Sequence, residues 1–169
     1  VIGVHYDDDD VKGDNSGSAY VFTRDTPGDL TSTWTQLAKL TATDGATGDE
    51  FGYSVSIDGS TIVVGAYYDD DKGSSSGSAY VFTRDTPGDI TSDWTQVAKL
   101  TANDGAENDK SGYSVAVDGD TIVIGAHLNY NNGTRGGSAY VFTRDTPGDL
   151  ASGWTQVAKL TAANGAAYY

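Results

Sequence analysis

Two short acidic segments are the part of this sequence whose residue types could do chemistry. Alternating carboxylates ahead of a glycine are typical of a loop that folds oxygen ligands around Ca²⁺. Because no glutamate follows at the distance of a bidentate EF-hand ligand, such a site would be open and weak. Ca²⁺ is the candidate cofactor, and its candidate ligands lie in residues 7–14 and 69–73: Asp7, Asp8, Asp9, Asp10, Asp14, Asp69, Asp70 and Asp71.

A second interpretation of these segments is a charged, solvated loop between strands, since runs of like charge usually face solvent. The third copy of the segment keeps side-chain oxygens but loses the charge, because it has Asn129 and Asn131 before Gly133. Two further acidic segments, residues 44–50 and 104–109, are rich in Asp and Gly, which are common turn residues. We therefore interpret these two as turns that link one unit to the next.

Among the remaining reactive side chains, the sequence shows no catalytic arrangement. His5 and His127 fall at equivalent positions where another unit has Tyr67, which favours a loop position that accepts either ring over a shared site. Three periodic tryptophans could stack on sugars but more often fill the space between packed units. No nucleophile with a base stands out, and the motifs are the same in every unit, so we predict a protein that is not an enzyme.

The elements that position these loops come from a repeat of 60 residues. The string Gly-Ser-Ala-Tyr-Val-Phe-Thr-Arg-Asp-Thr-Pro-Gly-Asp occurs unchanged at 17–29, 77–89 and 137–149. A Trp-Thr-Gln-(Leu/Val)-Ala-Lys-Leu-Thr-Ala segment follows each copy. Self-similarity at a fixed period is the signature of a repeat architecture, in which one supersecondary unit is copied along the chain.

Each unit contains short runs of β-branched and aromatic residues between Gly, Asp, Asn and Pro, which is the pattern of strands. In one unit the strands are expected near 113–118, 121–126, 138–143 and 154–161, with a tight Asp118-Gly119 hairpin. Residues 61–66 are apolar at successive positions, so both faces of that strand should be covered by neighbouring units. Four-stranded units stacked face to face are the blades of a β-propeller.

Three sequence features resemble the FG-GAP repeat: Phe51-Gly52, then Thr61-Ile-Val-Val-Gly-Ala-Tyr67, then Gly77-Ser-Ala-Tyr-Val-Phe82. This family includes the seven-bladed propellers of integrin α-chains and bacterial surface proteins. The resemblance implies propeller blades in an extracellular or cell-surface protein that binds or adheres to partners. The family's calcium hairpin does not carry over, because residues 57–61 and 117–121 are too short to wrap an ion.

The amino-acid composition narrows the classes of partner that the chain could bind. The 169 residues include 24 acidic and 10 basic side chains, a net charge of −14 that repels nucleic acid phosphates. No apolar run approaches the length of about 18 residues needed to span a bilayer. The absence of cysteine excludes disulfides and thiolate sites. The expected partners are a protein or glycan ligand, the remaining propeller blades, or further copies of the chain.

The repeat map divides the chain into an incomplete blade at 1–43, a second blade at 44–103 and a third at 104–169. Residues 1–4 align with 63–66, on the second strand of a unit, and the chain has no methionine. We therefore expect a processed chain or a piece of a larger closed propeller. The functional prediction is a non-enzymatic extracellular or surface binding propeller, assisted by Ca²⁺. Its alternative is a structural protein that assembles into a shell, stalk or filament, with the acidic loops maintaining solubility.

Overall fold

The protein is all-β throughout the described residues, and the predicted fold class is confirmed. The computed structural model describes residues 1–9, 11–26, 28–130 and 135–163. Eleven strands lie in these ranges. In chain order they are β1 (Ile2–Val4), β2 (Ser18–Arg24), β3 (Trp34–Leu40), β4 (Ser54–Asp58), β5 (Thr61–Ala66), β6 (Ser78–Arg84), β7 (Trp94–Leu100), β8 (Ser111–Asp118), β9 (Thr121–Ala126), β10 (Ser138–Arg144) and β11 (Trp154–Leu160).

The strands form three antiparallel sheets of three, four and four strands, in the orders β1-β2-β3, β4-β5-β6-β7 and β8-β9-β10-β11. We call them blades 1, 2 and 3. Each blade is a meander, since every strand pairs with the one next in sequence. Over the described ranges the three blades do not close into a ring. The predicted strands agree with the observed ones to within two residues at their ends.

Blade 2 lies between the other two, which explains the apolar run of β5. All six residues of β5 are buried, because alternate side chains of a strand point to opposite faces and both faces are covered. Ile62, Val64 and Ala66 pack with residues of blade 1, whereas Val63 packs with residues of blade 3. The equivalent strand of blade 3, β9, shows alternating burial instead.

The turns follow the glycine signals in the sequence. Gly59 and Gly119 have φ values of 52° and 53° and begin the two-residue connections of the β4–β5 and β8–β9 hairpins. Gly88 has a φ of 86° in a turn that is closed by a hydrogen bond from the Asp89 amide to the Thr86 carbonyl, 3.1 Å. A residue without Cβ adopts positive φ at no steric cost.

The periodic tryptophans pack against arginines of the same blade. The guanidinium carbon of Arg84 lies 4.5 Å from the ring centroid of Trp94, and that of Arg144 lies 4.4 Å from Trp154. Both tryptophans are partly buried against the cores between blades. The cation–π geometry supports the packing interpretation of the tryptophans.

Neighbouring blades also meet through their backbones. A residue at the start of one blade forms a parallel backbone bridge to a glycine of the blade before it. Phe51 of blade 2 pairs with Gly17, just before β2, and Ser111 of blade 3 pairs with Gly77, just before β6. A Cβ at Gly77 would lie 2.0 Å from the Ser111 carbonyl oxygen, so only glycine permits this approach. The glycine at the head of the repeated string is therefore a junction residue.

Candidate functional site

The acidic loops are folded by their own aspartates, which accept hydrogen bonds from nearby backbone amides. In blade 1, Asp8 accepts from the Asn15 amide at 2.8 Å, and Asp9 accepts from the amides of Val11 and Lys12 at 3.0 and 3.1 Å. In blade 2, Asp70 accepts from the Ser75 amide at 2.7 Å. These bonds occupy carboxylate oxygens that the sequence offers as metal ligands.

The loop of blade 2 gathers three carboxylates around a lysine. The Lys99 ammonium lies 2.8 Å from both Asp44 and Asp69 and 2.6 Å from Asp71. The Asp69 side chain is almost fully buried and also accepts hydrogen bonds from the hydroxyls of Tyr80, at 2.8 Å, and Ser78, at 3.0 Å. The cation at the centre of this cluster is therefore supplied by the outermost strand of the same blade.

Charge compensation sets the pKa values in this cluster. Burial alone would lower the pKa of Lys99, but its bonds to the three carboxylates raise it above the usual range. Burial would raise the pKa of Asp44, and the Lys99 ammonium more than offsets this, so the pKa lies below its usual value. Lys99 is thus charged at any physiological pH and neutralises part of the acidic loop.

A cavity of about 260 Å³ opens beside Lys99. Burial, with a smaller contribution from the charge on Asp69, raises the pKa of Asp49 to about 6, although the amide of Ala46 donates to its carboxylate. The cavity thus combines one lysine with an unusually basic carboxylate. The acidic and basic residues that line it are Asp44, Asp49, Asp69, Asp70, Asp71 and Lys99.

Blade 1 repeats the arrangement in a simpler form. The Lys39 ammonium lies 3.0 Å from Asp7 and 3.9 Å from Asp9. Asp7 also accepts a hydrogen bond from the Tyr20 hydroxyl at 2.8 Å. Hydrogen bonds from Ser18 and Lys39 hold the pKa of Asp7 below its usual value. The side chain of Asp14 is exposed, and Asp10 lies outside the described residues.

Blade 3 replaces the central aspartate of the loop with an amide. Asn129, at the position of Asp69, donates from Nδ2 to Asp109 at 2.6 Å and accepts from the Ser138 hydroxyl at 2.8 Å. Lys159, at the position of Lys99, pairs with Asp104 at 2.6 Å. The further residues of this loop, Asn131 and Gly133, lie outside the described residues.

The chemistry of these clusters is internal ion pairing. Across the ranges that the structure describes, no three histidine, cysteine or carboxylate side chains are grouped so as to hold a metal ion. The eight aspartates proposed as Ca²⁺ ligands stay a prediction. The alternative of fully solvated loops is incomplete, because Asp69 is buried and paired.

A second feature of the surface is a chain of aromatic rings that crosses all three blades. Tyr53 contacts His5 of blade 1, with 5.3 Å between ring centroids, and Tyr113 of blade 3, at 5.0 Å. Tyr113 in turn lies 3.9 Å from His127. We call this set the aromatic ladder. Its members are His5, Tyr6, Tyr53, Tyr67, Tyr68, Tyr113 and His127.

The ladder is partly open to solvent and partly supported from below. Tyr6, Tyr113 and His127 are exposed, whereas Tyr67 is buried. The Lys110 ammonium lies 3.7 Å from the ring centroid of Tyr68. A hydrogen bond with Tyr113 and burial raise the pKa of Tyr53 to about 12. Tyr53 is therefore neutral near physiological pH, and the rings that contact it are held in place with exposed faces on one rim.

The sequence indicates only part of the aromatic ladder. The equivalence of His5, Tyr67 and His127 is visible in the repeat, but it led to no site. The structure places the two histidines at opposite ends of the ladder, with Tyr53 and Tyr113 between them. The recurrent Gly-Tyr-Ser-Val at 52–55 and 112–115 is the signal that could have completed it.

Comparison with known proteins agrees with the architecture. The sequence model of the FG-GAP repeat matches twice, at residues 34–82 and 94–142. No curated protein matches the chain. Among the residues that the structure describes, no helix is long and apolar enough to cross a membrane.

Proposed function

The chain belongs to the FG-GAP repeat family, and from that premise we propose that it is a non-enzymatic binding module of an extracellular or cell-surface β-propeller. Its partner is a protein or a glycan. The observation that carries the proposal is the aromatic ladder, which presents a row of rings along one rim of three consecutive blades. Amphipathic aromatic rings are enriched at recognition surfaces because they bury a large area and lose little conformational entropy.

The ladder has the features of a contact surface rather than of a core. Its outer rings are exposed while its inner ring, Tyr67, is fixed by Tyr53 and Tyr68 at centroid distances of 4.2 Å. The buried carboxylate of Glu50 beside Tyr67 contributes to raising the pKa of that tyrosine, after burial and a hydrogen bond with Tyr68. Rigid positioning of exposed rings reduces the entropy lost when a partner binds.

Arrays of immobilised polysaccharides and extracellular-matrix proteins test this proposal. Wild-type protein should bind at least one probe, and Tyr6→Ser and Tyr113→Ser should weaken that binding by about tenfold or more, as expected when a contact of about 1.4 kcal/mol is lost. Tyr130→Ser is the matched control, because Tyr130 is about as exposed as Tyr6 but lies outside the ladder. Absence of binding, or binding unaffected by both ladder variants, would contradict the proposal.

Ca²⁺ assistance is a separate proposal for the loops at 7–14 and 69–73. It is supported by the net charge of −14 and by the convergence of Asp44, Asp69 and Asp71 on one point. Because the Lys99 ammonium lies at that point, an ion would have to displace it. The two-residue turn at Gly59 is too short to wrap an ion, so the calcium hairpin of the family is not part of the proposal.

Calorimetric titration with CaCl₂ tests the calcium proposal. Wild-type protein should bind weakly, in the range of about 10⁻⁴–10⁻³ M known for extracellular calcium modules. Lys99→Gln should bind more tightly because it removes the competing cation, and MgCl₂ serves as the control ion. Titrations without heat in both proteins, together with melting temperatures that are the same in Ca²⁺ and EDTA, would exclude the site.

A further inference from the structure

At the junction of blades 2 and 3, a lysine lies over two rings of the aromatic ladder. The ring centroid of Tyr67 is 4.2 Å from that of Tyr68 and 5.8 Å from that of Tyr113. The Lys110 ammonium lies 3.7 Å from the centroid of Tyr68 and 4.9 Å from that of Tyr67. The face of an aromatic ring is its negative part and attracts a cation at such distances. These rings therefore form a binding site for an ammonium group, which Lys110 fills from within the chain.

The junction of blades 1 and 2 repeats this ring geometry, and we call it the Tyr6 site. The ring centroid of His5 is 4.1 Å from that of Tyr6 and 5.3 Å from that of Tyr53. At the repeat position of Lys110, this junction has Glu50. The backbones agree, since φ is 55° at Glu50 and 58° at Lys110. The two junctions thus share their ring arrangement and backbone, and they differ in the sign of one charge.

Within the described residues, the Tyr6 site has no internal cation. The carboxylate of Glu50 lies beside the Tyr67 hydroxyl, and its buried Oε2 has no hydrogen-bond partner in the described part of the chain. Glu50 also forms no ion pair with a lysine or arginine of that part. Tyr6 is 65% exposed, and none of the described lysines and arginines lies over its ring. An open ring face and a carboxylate without a counter-charge both favour a cation from outside the chain.

The Tyr6 site does not depend on the first strand of a blade. In blade 2, where that strand is β4, Tyr53 lies just before it and contacts Tyr67, with 4.2 Å between ring centroids. Among the described aromatic rings, Tyr68 contacts Tyr67 alone. By the repeat, a ring at the position of Tyr53 in blade 1 would pack on His5 and leave the outer face of Tyr6 free.

We propose that the Tyr6 site binds a lysine side chain of a protein partner. The ammonium of that lysine lies over the Tyr6 ring, as the ammonium of Lys110 lies over Tyr68. Its charge offsets that of Glu50. The exposed Asp8, close to Tyr6 in the chain, and the net charge of −14 attract a basic segment over longer distances. The inference rests on the proposed function, since Tyr6 is an outer ring of the aromatic ladder, and it specifies the chemistry of the partner.

Exchange of the two junction residues tests the proposal, with binding of a fluorescent hexalysine peptide measured by anisotropy. Glu50→Lys supplies the Tyr6 site with an internal ammonium, as in blade 2, and should weaken binding by about tenfold or more. Lys110→Glu empties the equivalent site of blade 2 and should add a second peptide-binding site to the chain. Asp93→Lys is the matched control, because it makes the same change in charge on an exposed residue at the opposite end of blade 2. Since salt screens charges beyond about 8 Å, the control should change the affinity by less than about threefold.

Tyr6→Leu tests the ring without changing the charge, because blade 3 has Leu128 at this position. It should weaken hexalysine binding as Glu50→Lys does, and circular dichroism checks that every variant is folded. Equal losses in Glu50→Lys and Asp93→Lys, or unchanged binding by Tyr6→Leu, would overturn the proposal. If Tyr6→Ser still weakened binding on the arrays in that case, the binding function would stand and only its lysine partner would be wrong. Tighter binding of a glucosamine hexamer than of hexalysine would place the ammonium on a glycan and would also overturn the proposal.

Discussion

The loops between the second and third strands of blades 2 and 3 occupy equivalent positions and neutralise their acidic residues differently. In blade 2, the buried Asp69 pairs with Lys99, which it shares with Asp44 and Asp71. In blade 3, Asn129 stands in its place and donates directly to Asp109. The first loop is held by an ion-pair network and the second by a hydrogen bond between an amide and a carboxylate.

The difference shows that equivalent loops can pair a buried carboxylate either with a lysine or with an amide donor. A buried carboxylate is costly unless a charge or donor is paired with it. Blade 2 meets this need with a lysine but leaves Asp49 beside Asp69, whereas blade 3 gives the equivalent Asp109 a donor. The stability of the two blades should therefore respond differently to equivalent substitutions and to pH.

Removal of the blade 2 cation should have the largest effect. Lys99→Met keeps the aliphatic stem but leaves the buried Asp69 without its counter-charge, so the free energy of unfolding should fall by about 3–5 kcal/mol. Urea unfolding followed by tryptophan fluorescence measures this change. A loss under about 1 kcal/mol would show that Asp69 does not depend on Lys99.

Conversion of the blade 3 loop toward the blade 2 chemistry should have the next largest effect. Asn129→Asp replaces the donor to Asp109 with a second carboxylate in a buried site, so stability at pH 7 should fall by about 2–3 kcal/mol. Part of the loss should return at pH 5, because like charges favour protonation of one of them. Asn129→Ala removes the donor without adding charge and should show no such recovery on acidification.

The raised pKa of Asp49 predicts that blade 2 makes the stability of the protein depend on pH. Its pKa in the folded protein is about 6, above the unfolded value of 3.8. The folded state therefore holds this proton more tightly, so its contribution favours folding at low pH and is lost as the pH rises through 6. Asp49→Asn should raise stability at pH 7 by about 2 kcal/mol, and its advantage should shrink at pH 5.

Urea unfolding of both proteins at pH 7 and pH 5 measures the difference. The matched substitution in blade 3, Asp109→Asn, should instead lower stability, because it removes the charged acceptor of the Asn129 amide. Equal responses of the two blades would show that the neighbouring Asp69 and Asn129 do not distinguish them.

The smallest effect is expected for the lysine of blade 3. Lys159 pairs with Asp104, whose side chain is half exposed. Exposed pairs contribute about 0–1 kcal/mol, so Lys159→Met should reduce stability by no more than that. Added NaCl should weaken this pair further. A loss comparable to that of Lys99→Met would make the two loops energetically equivalent.

The fold could be predicted from the sequence because its signals are local and repeated. The 60-residue period, the continuous apolar run at 61–66 and the Asp-Gly turns each report on a few adjacent residues. Together they gave the strands, the four-stranded blades and the family. Burial of both faces of β5 was also predictable, since successive apolar positions leave no face for water.

The candidate sites were harder to predict from the sequence, because they depend on contacts between residues that are distant in sequence. The acidic loops were visible, but the three carboxylates meet Lys99 from 28 to 55 positions away, and nothing local indicates that its side chain turns toward them. The ladder likewise joins residues from three blades. Nothing adjacent in the sequence indicates that Arg84 and Arg144 each lie over a tryptophan ring of the next strand.

The glycine junctions between blades bear on how such a protein could change over generations. Gly17 with Phe51 and Gly77 with Ser111 form the same backbone bridge although one partner differs in side chain. Because the junction uses backbone atoms, a gene that gains or loses one 60-residue copy recreates it intact. The number of copies can therefore vary by duplication or deletion of the coding repeat without requiring any compensating substitution at the joint.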